Sequence, residues 1–197
     1  LAFANRMSER HDPPLPPCYV LEGCAAELGH AMVCESVTLN APTLYECRGY
    51  RLPTTAEWEY AVRASTRTAC YSGELFRPDG ALPAQCGDAY DHLDHSAWYQ
   101  HNSGDLTHPV AQKRPNAWHL YDMMGNAREW VNDEYTGLLP SPGPLTDPGG
   151  LLGASERVET RGGSAIGWPQ LLRSASRLEG SRSGHWPTFG FRLVRTE

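Results

Sequence analysis

The 197-residue sequence has no apolar run approaching the ~20 residues that a membrane-spanning helix requires, so no membrane span is expected. It has no excess of basic charge either. The formal net charge is -6 and the pI is near 5.7, so a phosphate backbone meets a repelling average field. No basic cluster interleaved with aromatics offsets that field, and nucleic acid is not an expected partner. None of the six cysteines is spaced C-x-x-C and none follows Cys86, which argues against a zinc ribbon or a thioredoxin-type redox site. The G-x-S-x-G nucleophile elbow is missing as well. Ser103, Asp105 and His108, which could be drawn as a hydrolase triad, therefore have no turn of that kind to present a nucleophile. The sequence contains no internal repeat.

What is there fits one globular domain. Hydrophobic residues make up 40% and charged residues 20% of the chain, and mean hydropathy is -0.50. The 19 glycines and 16 prolines are spread throughout, which favours turns over long regular elements. Cys18, Cys24, Cys34, Cys47, Cys70 and Cys86 all lie in the first half. Their even number leaves two readings open, disulfides that staple loops or buried thiols. Under the first, Cys18 with Cys24 and Cys34 with Cys47 would be local loop ties.

Leu1 to Arg10 is predicted helical, with Leu1, Ala4 and Met7 on one face, and the prolines of His11 to Pro17 end it. Cys18 to Tyr50 is predicted irregular apart from a short strand over Glu35 to Leu39. The clearest helix lies within Arg51 to Ala64. There Thr54, three residues before Glu57, makes a capping box, and Trp58, Ala61 and Val62 share a buried face. Residues 65 to 118 read as loops with short strands. Tyr121 to Tyr135 places Met123, Met124, Trp130 and Val131 around a Gly125-Asn126 turn, and Leu138 to Gly153 reads as a surface loop. Strands are expected over Arg157 to Arg161 and Phe189 to Arg195, the latter with Phe189, Phe191 and Leu193 facing the core. His92, His95 and His101, with Asp91 and Asp94 beside them, have the residue types of a two-histidine, one-carboxylate iron or zinc set. No regular element fixes their spacing, so they read as an exposed polar loop.

Four segments occur in a specific order: RLPTTAEWEYAVRA (51–64), NSGDLTHPVAQKRPNAWHLYDMMGNAREWVND (102–133), RVETRGGS (157–164), and RSASR (173–177) followed by GFRLVR (190–195). From about Arg51 to Arg195 the chain resembles the formylglycine-generating-enzyme and sulfatase-modifying-factor family. The resemblance implies an α+β fold of C-type-lectin-like form, with small antiparallel sheets, few helices and much irregular loop. It further implies that residues 1–197 form a single domain whose N-terminal part, as found in the family, is missing. Calcium is the implied cofactor, held in a structural role by the Asp122 and Glu129 carboxylates and the Gly125 and Ala127 carbonyls, with Asn102 as the one residue carried over for a second site.

The family's oxidases hold copper(I) with two cysteines in the segment after RGGS, but here Ala165 to Arg177 (AIGWPQLLRSASR) contains none. A shared fold does not carry its chemistry with it. The resemblance thus leaves two main readings, beside a third in which the chain is a structural or accessory subunit whose missing N-terminal part lies in another chain. The first is a non-catalytic domain that binds a protein or glycan ligand through the loops between RGGS and GFRLVR, with Ile166, Trp168, Leu171, Leu172, His185, Trp186 and Thr188 as contacts. Variable proteins of diversity-generating retroelements use the same architecture. The alternative is a metal-dependent oxidase acting on protein cysteine or a small thiol. Against the first stands the ordinary possibility that Trp168, Leu171 and Leu172 pack in the core. Disulfides and calcium together would favour an extracytoplasmic or secreted setting, with a signal peptide outside the sequence in view.

Overall fold

The computed structural model describes residues 1–28, 32–75, 91–138, 145–149, 155–184 and 186–197. The capping box forms as the sequence predicts: Thr54 Oγ1 accepts from the Glu57 amide at 3.2 Å, and the Glu57 carboxylate accepts from the Thr54 amide at 2.8 Å. Helix α2 (Thr55–Arg63) starts there and buries Trp58 and Val62, with Ala61 partly covered. Helix α1 (Ala2–Glu9) buries Ala4 and Ser8, while Met7 is only half-covered, so its buried face is rotated from the predicted one. A single turn, α3 (Asp91–Asp94), precedes the histidine-rich loop. No helix among the described residues is long and apolar enough to cross a membrane.

Among the described residues, three small sheets complete the α+β architecture. Strands β1 (Tyr19–Glu22) and β2 (Ser36–Leu39) form an antiparallel pair. Strand β3 (Tyr50–Arg51) pairs with β8 (Val194–Arg195). The third sheet has four strands in the order β6 (Leu178–Ser181), β5 (Arg157–Arg161), β4 (Arg128–Glu134), β7 (Phe189–Phe191). Its β4–β7 pair is parallel and the others antiparallel.

The single strand expected over Phe189 to Arg195 is therefore two, which join different sheets. Its predicted facing also changes. Glu129 and Val131 of β4 point into the core, and the register pairs Phe189 with Arg128 and Phe191 with Trp130 on the opposite face. Phe191 is 47% exposed and meets Phe3 of α1 edge-on rather than entering the core. Leu193 packs with the smaller core cluster around Ala4, Cys18, Tyr19 and Cys47. The larger cluster lies between α2 and the four-stranded sheet and includes Trp58, Val62, Leu93, Tyr99, Met123, Met124, Val131 and Leu172.

The cysteines correct the nearest-neighbour pairing. The disulfides are Cys18–Cys47 and Cys24–Cys34. Strand β1, which the sequence left irregular, explains the second: the register that pairs Glu22 with Ser36 and Ala25 with Val33 sets Cys24 opposite Cys34. Cys18 and Cys47 meet as buried members of the smaller cluster. Cys70 is free and buried, and Cys86 lies outside the described residues. Most of the surface loop expected over Leu138 to Gly153 also lies outside them.

Arg161 of β5, fully buried, ties helix, sheet and C-terminal loop together. Its guanidinium pairs with Glu59 of α2 at 2.6 Å, donates to the Ser176 and Ser174 carbonyls at 2.7 and 3.1 Å, and lies 5.2 Å from the Trp58 ring centroid. Glu159 stands 3.9 Å away and is itself held by Arg177 at 2.5 Å and by the Thr55 hydroxyl. Removing one partner of such a buried network strands the others without compensation. Arg161→Met is expected to lower unfolding stability by ~3–5 kcal/mol in a denaturant titration, and a loss under ~1 kcal/mol would refute this role.

Candidate functional site

The loops that carry the predicted contact residues hang from one short segment. At Gly125, φ is +74° and a Cβ would lie 2.0 Å from the Trp98 carbonyl oxygen, so only glycine allows the approach. Asn126 follows, also left-handed at φ 56°. Its amide donates to the Trp98 carbonyl at 2.7 Å and its carbonyl accepts from the Ala165 amide at 2.8 Å. Its side chain closes on the His108 backbone at both ends, accepting from the amide at 2.9 Å and donating to the carbonyl at 3.0 Å. Two residues on, the Arg128 amide donates to the Thr188 carbonyl at 2.8 Å. Residues 125–128 thus fix the loops around Trp98, His108, Ala165 and Thr188 relative to one another, and the Gln100 amide adds a bond to the Gly167 carbonyl at 3.1 Å.

On this frame Ile166, Trp168 and Trp186 are 48%, 49% and 49% exposed, a large apolar exposure for fixed loops. Trp186 leans on Phe189 (4.9 Å between centroids), which packs against Trp130 (5.0 Å) and lies under the Arg128 guanidinium (4.7 Å). Two predicted contacts drop out. Leu172 is fully buried in the larger core cluster, where no partner can reach it. Thr188 is 8% exposed, and its carbonyl serves the frame through Arg128. Leu171 is half-buried, and His185 lies outside the described residues. Core packing is therefore right for Leu172 and wrong for Trp168.

The sequence missed a neighbouring platform. Trp98 stacks on His108 (3.8 Å, 13° between planes), and the Lys113 ammonium lies 3.7 Å from its ring centroid. Lys113 Nζ also donates to the Asp94 carbonyl at 2.5 Å. No periodicity marks these residues, and the Asn126 bonds to the Trp98 carbonyl and the His108 backbone help to bring Trp98 and His108 together.

The side chains expected to hold calcium already have partners within the protein. Both Glu129 oxygens already take charged or strong donors: Trp58 Nε1 and Arg192 Nε at 2.6 Å on one, Arg192 Nη2 at 2.5 Å on the other. Asp122 turns one oxygen to the Ala111 amide at 2.7 Å. Asn102 uses its side-chain oxygen for the Tyr99 amide and its nitrogen for the Ala97 carbonyl.

The histidines are also not gathered. His95 is exposed, 3.7 Å from Asp91, and His101 is exposed beside Tyr99, while Asp94 accepts from the Tyr99 hydroxyl at 2.7 Å. Among the described residues no group of three or more His, Cys, Asp or Glu side chains is placed to hold a metal. The drawn triad fails on geometry. Ser103 is buried and its hydroxyl donates to the Ala165 carbonyl at 2.7 Å, whereas His108 Nε2 meets the Ser103 carbonyl, not the hydroxyl. Cys70 lies beneath the turn Pro169–Leu172, its sulfur 3.7 Å from the Leu172 carbonyl.

Comparison with known proteins agrees with this architecture. The chain is 39% identical over 160 residues to the formylglycine-generating enzyme of Mycobacterium tuberculosis, covering 74% of this chain and 51% of that protein. It is 32% identical over 165 residues to the formylglycine-generating enzyme of Streptomyces coelicolor, covering 80% and 51%. It thus spans about half the length of the curated relatives it matches. Among solved structures, Treponema denticola variable protein 1 superposes with a TM-score of 0.73 at 26% identity, over 100% of this chain and 67% of that one. Residues 1–197 of this chain match the sulfatase-modifying factor enzyme 1-like domain, and the chain belongs to that family.

Proposed function

We propose that this domain is a non-catalytic ligand-binding member of the family, whose contact surface is the exposed set Ile166, Trp168 and Trp186 together with the half-buried Leu171. The observation that carries the proposal is that these three large side chains, each about half exposed, stand on loops fixed through residues 125–128. Rigid aromatic anchors give contact area at low ordering cost, as binding hot spots require. The likeness to Treponema denticola variable protein 1 supports the reading. A protein or a glycan is the partner class that suits tryptophan anchors, and variation confined to these loops, as in a retroelement-diversified protein, would leave the frame untouched. The two disulfides point to an oxidising, extracytoplasmic setting.

Trp168→Ala with Trp186→Ala is expected to weaken binding at least ~10-fold to any protein or glycan that wild type retains in an immobilised panel. The same variant should unfold within ~4 °C of wild type, whereas Leu172→Ala should lose ~2–5 kcal/mol of stability. Equal loss of binding and stability in the tryptophan variant would sink the proposal.

The second reading, an oxidase acting on protein cysteine or a small thiol, is favoured by the names of the relatives. It needs a thiolate. Burial pushes the Cys70 thiol up to about 12, with nearby Arg173 opposing only in part. Peptide mapping after iodoacetamide treatment of the native protein should find Cys70 unmodified at pH 8, and rapid alkylation there would revive the oxidase.

A further inference from the structure

One residue supplies most of the donors that meet the expected calcium carboxylate Glu129. Arg192 lies on the short stretch between β7 and β8, and its guanidinium reaches back across the sheet to the turn 121–129. Nε and Nη2 grip Glu129 at 2.6 and 2.5 Å. The same Nη2 reaches the Tyr121 carbonyl at 3.2 Å and the Asp122 carbonyl at 3.5 Å. Glu129 is only 7% exposed and receives the Trp58 indole N–H as well, so its charge is compensated from within the protein.

We propose that Arg192 is the resident cation of the 121–129 turn, neutralising Glu129 and holding the Tyr121 and Asp122 carbonyls, so that the domain is ordered without calcium. A calcium ion at Glu129 would have to share or displace a guanidinium that already has a two-point grip on the carboxylate. A divalent ion prefers ~6 to 8 oxygens free of competing positive charge. The arrangement also couples the last strands to α2, because the carboxylate held by Arg192 is the one that accepts from Trp58.

The test is thermal unfolding of the 197-residue chain in excess EGTA and in millimolar calcium chloride, with isothermal titration of calcium into the chelator-treated protein. Wild type is expected to unfold at the same temperature in both buffers and to give no saturable heat. Arg192→Met should unfold about 10 °C lower in EGTA, because it leaves a buried carboxylate uncompensated. The Arg192→Met, Glu129→Met double variant should recover part of that loss, since removing both partners is less harmful than removing one. If Arg192→Met does not fold, the wild-type titration decides alone. Saturable calcium binding that raises the wild-type midpoint by several degrees would overturn the proposal, as would an Arg192→Met variant as stable as wild type.

Discussion

The structure depends on how one indole is held. Trp58 of α2 is buried and tied to two arginines from separate parts of the chain, one directly and one through a carboxylate: Arg161 lies 5.2 Å from its ring centroid, and Arg192 grips the Glu129 carboxylate to which the indole N–H donates. Helix, central strand β4, neighbouring strand β5 and the C-terminal stretch therefore share one buried polar network. A charge of this kind costs several kcal/mol to desolvate unless it is fully paired, so each member holds the others to a single geometry. In a chain whose longest described strand has seven residues and whose longest described helix has nine, that constraint takes the place of extended secondary structure.

This explains how a loop-rich surface can still be firm. The frame formed by Gly125, Asn126 and Arg128 continues directly into Glu129, so the loops bearing Ile166, Trp168 and Trp186 are tied to the same network. Ile166, Trp168 and Trp186 are each about half exposed and take no part in the hydrogen bonds of that network. Leu172, a few residues beyond Trp168, does the opposite and enters the core. A fixed interior beneath exposed apolar side chains is the arrangement the proposed binding role calls for.

Helix α2 was legible because a capping box and a 3.6-residue pattern are local signals, and β5 because its residues suit a strand and are bounded by turns. Strand β1 was not, since YVLE has no alternation of its own and is stabilised by its pairing with β2. The same hidden pairing misled the cysteine assignment, because sequence proximity says nothing of which residues a sheet register sets opposite each other. Phe191 faces away from the core that its alternation suggests, because alternation gives period but not sign: the inward face of β4 is chosen by Glu129 meeting Trp58, a contact 71 residues apart. In the candidate site the tryptophans could be named from their place between two motifs. Their exposure, the Trp98–His108 stack and the Arg192 grip on Glu129 depend on long-range packing that no local pattern encodes.

The claim that frame and contact surface are energetically separate can be measured by native-state amide hydrogen exchange. The comparison is between wild type and a variant with Ile166, Trp168 and Trp186 all replaced by serine. Separation predicts that the amides of Val131 and Arg161 exchange at rates within about twofold of wild type, because distant independent sites add with little coupling. A fall in protection at Val131 and Arg161 by an order of magnitude or more would mean that the exposed residues help to hold the core, and would contradict the account.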